Sequence, residues 1–154
     1  MNHTQNEITN ALHPIRQFSV LLQNRPGSLL SLLKLMGDHQ IQVLGLSVQD
    51  ASDVTLVRMV VTDPETLQTI FMERGIAHGT HEIVAVEMRE GPADMGKCLS
   101  ALLSAELNIH FCYALLCRPY DNTVLVLSVD DVELAVKVLN STGFHVLQQT
   151  DLSR

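Results

Sequence analysis

The 154-residue sequence predicts an α+β fold: two tandem βαββαβ units, each an antiparallel sheet with its helices on one face. Three observations carry this. The chain repeats itself, β-rich runs alternate with helical stripes, and turn and cap residues punctuate both halves at matching places.

Asn24-Arg25-Pro26-Gly27-Ser28-Leu29 aligns with Glu90-Gly91-Pro92-Ala93-Asp94-Met95, an offset of 66. At that offset Leu32, Leu33 and Ile41 fall on Cys98, Leu99 and Leu107, Val43 on Ile109, Leu46 on Cys112 and Val60 on Val126. Further on the offset is 68, matching Asp63 to Asp131, Gly75 to Gly143 and Ile76 to Phe144. The two extra residues are expected in a hairpin around Arg118–Asn122, where an insertion disturbs no packing.

In the first half, Phe18–Gln23 alternates like a strand and ends at a turn. Leu29, Leu32, Leu33 and Met36 form the stripe of an amphipathic helix ending near Asp38. Ile41–Gln49 and Thr55–Thr62 read as strands joined through Asp50-Ala51-Ser52-Asp53. Asp63-Pro64-Glu65 starts a helix that buries Leu67, Ile70 and Phe71 and stops at Gly75. A short last strand is expected within Ile76–His81. The second half repeats the cycle. Ile83–Met88 is a strand, and Asp94–Glu106 a helix carrying Met95, Leu99, Leu102 and Leu103. Asn108–Leu116 and Thr123–Val129 are strands, Val132–Thr142 is a helix, and Phe144–Gln149 closes. The domain organisation is therefore an arm over residues 1–14 and two units over 15–81 and 82–154.

Val43–Leu46 and Val124–Leu127 are apolar on both alternating faces, so the sheet faces away from the helices need cover. Either the other half or a second chain supplies it, and a homodimer is the expectation.

A formal net charge of −7 disfavours nucleic acid as a partner. The longest apolar run falls short of a membrane span, and no signal-peptide pattern opens the chain, so a cytoplasmic protein is expected. Three cysteines without C-x-x-C spacing fit reduced thiols, with Cys112 read as core. His78 and His81 do not share a strand face, and no metal site is expected. Arg58 is expected at the sheet rim or paired with an acid such as Glu87. No nucleotide-binding, metalloprotease or nucleophile-elbow motif occurs, and neither a cofactor nor an enzymatic activity is expected.

The βαββαβ order with N-x-P-G at the first strand–helix turn resembles the ACT domain, a small ferredoxin-like regulatory module of amino-acid metabolism. The resemblance covers about residues 15–152, is stronger in the first half, and is nearest to free-standing double-ACT proteins. It implies an amino-acid-binding regulatory protein. In serine-sensing ACT domains of phosphoglycerate dehydrogenase, an Asn in this turn and an Asn opening the second strand hold the effector. Asn24 matches the first and Gln42 takes the place of the second; in the second half Asn108 matches the strand Asn. Glu90 replaces the turn Asn there and Ala93 the Gly. The resemblance thus implies one ligand site, on Asn24, Arg25, Pro26, Gly27 and Ser28, with Gln42 or Asn108 reaching it across an interface. On physical grounds Gly27 lets a ligand approach the turn backbone, whose N–H donors at a helix start suit a carboxylate. The acetolactate synthase regulatory subunit has a similar length and first module, so a role as partner to a biosynthetic enzyme is the alternative.

Overall fold

The computed structural model describes residues 13–153, so nearly all of the arm expected over residues 1–14 lies outside them. The elements run β1 (Ile15–Gln23), α1 (Ser28–Asp38), β2 (Val43–Ala51), β3 (Val54–Val61), α2 (Pro64–Glu73) and β4 (Gly79–Met88). Then follow α3 (Pro92–Ser104), β5 (Ile109–Ala114), β6 (Thr123–Val129), α4 (Val132–Ser141), β7 (Val146–Leu147) and α5 (Gln149–Leu152). The expected caps form. Asp63 Oδ1 accepts the Thr66 N–H at 3.1 Å and Asp131 Oδ1 the Leu134 N–H at 3.0 Å. Gly75 and Gly143 leave α2 and α4 at φ +67° and +94°, a conformation that favours glycine.

The duplication is visible in the register. Phe18 pairs with Met59 and Val84 with Leu127, so β1 and β4 differ by 66 positions and β3 and β6 by 68. Each half carries a bulge at the same place, between Val43 and Gly45 and between Ile109 and Phe111. The insertion thus lies in the β5–β6 hairpin, as expected. By this register Val126 takes the place of Arg58, not of Val60.

The strands lie in the order β2-β3-β1-β4-β6-β5, with β7 also on β4. Where two abutting strands were expected, at Ile76–His81 and Ile83–Met88, there is one continuous strand. Its Gly79–Ile83 stretch pairs β1 and its Val84–Met88 stretch pairs β6, so the boundary expected after residue 81 falls inside β4. β7 takes over on Ala85 and Val86 where β1 ends, and the Gln149 N–H donates to the His13 carbonyl at 3.0 Å. The closing strand is only two residues long, because Gln148 and Asp151 cap each other's backbone and turn the chain into α5.

Each half packs its own helices on one side of its strands. Phe18, Val57, Met59, Leu67 and Phe71 fill the first helical layer, and Val84, Cys98, Leu102, Leu127 and Leu139 the second. The opposite faces are buried on one another within the chain, through Ile15, Val60, Ala85, Val124, Val126 and Leu147. This cover comes from the other half, so the sheet faces do not require a second chain. Polar contacts cross the same layer. The Tyr113 hydroxyl donates to Gln17 Oε1 at 2.6 Å, and the Arg58 guanidinium lies 3.8 Å from the Phe111 ring centre while donating to Gln49. Arg58 therefore faces Phe111 rather than Glu87. The edge strands β2 and β5 meet at one bridge, Gly45 with Leu115, reinforced by a 2.7 Å bond from the Leu116 N–H to the Leu44 carbonyl.

Two burial expectations are corrected. α3 begins at Pro92 and buries Asp94, Cys98 and Leu102, while Met95, Leu99 and Leu103 are exposed. Asp94 is drawn inward because its carboxylate accepts the Glu90 N–H at 3.0 Å, and Ala101 and Ala105 join the layer behind it. Cys112 is exposed, not core, because β5 buries only one of its faces: Tyr113 and Leu115 point at the first half, while His110, Cys112 and Ala114 point out.

Candidate functional site

β4 reaches β1 only as far as Ser19, which pairs with Gly79. Beyond it, Val20–Gln23 pairs with β3 on one side and with no strand on the other. α1 starts alongside this open edge. Gly27, at φ +86°, is its N-cap, no side chain caps the helix, and an added Cβ would meet nothing within 4 Å. The Ser28 N–H donates to the Arg25 carbonyl at 3.3 Å, and the helix start, without a side-chain cap, lies beside unpaired strand backbone.

Between them lies a groove of about 890 Å³, floored by Val20, Leu22, Leu32 and Leu35 and rimmed by Arg25, Gly27, Ser28, Ser31 and His78. Arg25 is the only Lys, Arg, Asp or Glu among its lining residues. His78 is held by its Nδ1 contact with the Ile76 carbonyl at 2.9 Å and by the Phe71 ring, 5.2 Å away. An apolar floor, one cation and an uncapped helix start suit a small molecule with a carboxylate.

Of the residues singled out in the sequence, Arg25, Pro26, Gly27 and Ser28 line the groove together. Asn24 sits beside it, its Nδ2 donating to the Ser52 carbonyl at 3.4 Å and tying the turn to the β2–β3 hairpin. Gln42 is exposed before β2, its N–H on Thr62 Oγ1. The nine residues of β2 separate it from that hairpin, roughly 30 Å of strand. Within one chain Gln42 is not at the turn. Asn108 opens β5, its N–H donating to Asp130 Oδ1 at 3.2 Å. From the Gly45–Leu115 bridge to Phe111 beside Arg58, β5 runs antiparallel to β2, which carries Asn108 toward the hairpin that Asn24 touches. Ser31 and His78 were not singled out from the sequence. Ser31 was visible as the polar residue one turn along α1 from Gly27, but His78 carried no signal before the end of β4 was placed.

The second half has a groove at the same place, about 1100 Å³, lined among others by Glu87, Arg89, Glu90, Lys97, Ser100 and His145. By the repeat, Glu87 stands where the first half has Leu21, Arg89 where it has Gln23, and His145 where it has Ala77. Glu87 is 4% exposed. Its carboxylate accepts from Asn122 Nδ2 at 2.7 Å and meets His145 Nδ1 at 2.7 Å and Arg89 Nε at 3.4 Å. Burial pushes the acid up. The Asn122 and His145 hydrogen bonds and the Arg89 and His145 charges outweigh it, leaving Glu87 below its ordinary value. No group of three or more His, Cys, Asp or Glu among the described residues is placed to hold a metal. No helix among them is long and apolar enough to cross a membrane.

The family model described as an ACT domain pair matches residues 13–154. Among solved structures, a Bacteroides thetaiotaomicron protein superposes with a TM-score of 0.83 at 19% identity, covering 93% of this chain and 98% of its own. The ligand-free regulatory subunit of aspartate kinase from Thermus thermophilus gives 0.58 at 13% identity, covering 86% and 95%. A structure of aspartokinase alpha and beta subunits gives 0.55 at 20%, covering 84% and 92%. No curated protein sequence matches the chain. The superpositions share the fold, the family model spans both halves, and the chain belongs to the ACT domain pair family.

Proposed function

We propose that this protein is a non-enzymatic regulator that binds a free amino acid in the first groove and transmits its presence through assembly. The observation that carries the reading is the first groove itself. An uncapped helix start at Gly27–Ser28 and the Arg25 cation face the unpaired backbone of β1 across an apolar floor. A carboxylate suits the helix start and Arg25, an ammonium suits strand carbonyls, and an aliphatic side chain suits Val20, Leu22 and Leu32. Family membership and the likeness in fold to a regulatory subunit of aspartate kinase support the role. Asn24 holds the turn against the hairpin. Asn108 approaches from the same chain, whereas Gln42 reaches a turn only from a second copy. Calorimetry against the twenty amino acids tests the reading. Saturable heat with one or a few of them is expected, with a change in mass by light scattering at the same concentrations. No heat with any of them overturns it.

A second reading, a regulatory subunit bound to a separate biosynthetic enzyme, is favoured by one feature. Met95, Leu99 and Leu103 form an apolar stripe along α3, and Leu103 is 75% exposed. Co-purification of a larger catalytic chain supports this reading, and a lone stable assembly refutes it.

A further inference from the structure

We propose that the second groove is a separate binding site for a small oxyanion, a carboxylate or phosphate group, held by Arg89, His145 and Lys97.

Both Arg89 Nε and His145 Nδ1 address the same Glu87 oxygen, Oε2, at 3.4 and 2.7 Å. One buried carboxylate therefore orients two donor groups that come from different segments, the end of β4 and the α4–β7 connection. The imidazole proton on Nδ1 and the guanidinium Nε are engaged inward. The two terminal Arg89 nitrogens remain for the groove that both residues line, and His145 Nε2 joins them as a donor when the ring carries protons on both nitrogens. Lys97 of α3 lines the same groove. Its Nζ is 3.7 Å from Glu90, with both side chains largely exposed, a weak pair that an anion can displace.

Three acids line the groove, and of these only Glu90 is exposed, where its charge opposes that of Lys97 until an anion displaces it. Glu87 is occupied by Asn122, His145 and Arg89. Asp94 is 8% exposed and accepts the Glu90 N–H. Such preorganisation lowers the ordering cost of binding, since the donors are fixed before the anion arrives. The first half offers nothing comparable: Leu21 and Ala77 stand where Glu87 and His145 do. The two grooves then select different ligands. The His145 ring also packs 5.4 Å from the Tyr120 ring, and the Tyr120 hydroxyl donates to Asp151 of α5. α5 is docked on β3 through Gln149 on the Val61 carbonyl and Ser153 on the Thr62 carbonyl, so a contiguous path joins this groove to the first half.

The test follows the His145 ring resonances of the full chain by NMR during titration with sodium acetate and, separately, inorganic phosphate, against sodium chloride at equal ionic strength. Saturable shifts with acetate, phosphate or both, absent with chloride, are expected, and the better ligand identifies which oxyanion the site takes. Arg89→Gln is expected to weaken binding by about tenfold or more. Lys97→Gln, which leaves Glu87 untouched, should weaken it less. Both side chains are more than half exposed, so the variants fold. Gly27→Ala in the first groove should leave the titration unchanged, which keeps this result independent of the amino-acid site. Shifts that never saturate, that chloride reproduces, or that persist equally in both variants overturn the proposal.

Discussion

Leu115 Cδ2 lies 2.6 Å from the point where a Cβ on Gly45 would stand, and these two residues form the bridge that joins the edge strands β2 and β5. Leu115 is buried between the halves, so its side chain has little room to withdraw. Gly45→Ala is expected to destabilise the protein by about 1–3 kcal/mol through overpacking. Leu115→Ala should cost about 2–5 kcal/mol by leaving a cavity. The double variant supplies the check by urea denaturation: Gly45→Ala should cost clearly less once Leu115 is Ala, because the clash is gone. Strict additivity would show that the close approach carries no energy.

Gln17 and Tyr113 make the polar contact at the centre of the same layer. Gln17 is fully buried, its Oε1 accepts from Tyr113, and its Nε2 has no acceptor among the described residues. Burial pushes the Tyr113 hydroxyl well above its ordinary range, against the opposing pull of Arg58, so it stays a neutral donor. Tyr113→Phe alone strands a second buried atom and should cost about 1–3 kcal/mol. Tyr113→Phe with Gln17→Met removes both ends of the bond and is expected to be neutral or stabilising in thermal melts. A double variant weaker than the single would show that the pair contributes net stability.

Glu87 sets an acid limit on the second half. Its folded value lies below the ordinary 4.5, so the unfolded chain binds its proton more readily. The sign follows: the stabilisation is complete at neutral pH and is lost as pH falls from 4.5 through the folded value. Glu87→Gln cannot titrate there. It is expected to lose about 1–3 kcal/mol at pH 7 and to show a shallower fall in stability on acidification than the wild type. Parallel pH profiles for the two proteins would contradict the assignment.

Much of the fold is legible in local signals because they are local in origin. Asp63 and Asp131 cap helices wherever the sheet lies, and Gly75 and Gly143 end them for reasons of backbone conformation. What tertiary packing decides is not. Met95 and Leu99 match Leu29 and Leu33, which are only half-buried in α1, and the buried row in both helices is the other one, Leu32 and Met36 in α1 and Cys98 and Leu102 in α3. Alternation along β5 marks two faces without saying which the other half covers, so Cys112 could not be placed. β4 reads as two strands because each end pairs in a different half. The Arg25–Ser28 turn is contiguous, so its place in the repeat and its resemblance to the ACT turn can be read along the chain. The Glu87, Asn122 and His145 cluster joins three segments up to 58 residues apart and left no trace before folding.

The three thiols are expected to separate cleanly in reactivity. Cys98 is fully buried and pushed up to about 11, first by desolvation and then by Asp94. Cys117 is half-buried and also raised by burial. Cys112 is exposed. Iodoacetamide on the native protein at pH 8, read by peptide mass spectrometry, should label Cys112 first, Cys117 slowly and Cys98 only after denaturation. Rapid labelling of Cys98 in the native state would place α3 wrongly.

Gly27 separates backbone conformation from space at the amino-acid groove. An added Cβ would meet nothing within 4 Å, so Gly27→Ala changes only the fitness of the residue for φ +86°. The strain in the left-handed region costs roughly 1–2 kcal/mol, and the chain can relieve it by re-forming the turn. Relief shifts Arg25 and Ser28, which line the groove on either side of Gly27, so amino-acid affinity should fall by more than the stability loss alone would suggest. Gly37, near the far end of α1 and equally free of contacts, supplies the control. Gly37→Ala is expected to leave calorimetric binding intact and, as a helix-interior change, to stabilise slightly. Equal binding by both variants would remove the α1 start from the site while leaving the groove itself open to another pose.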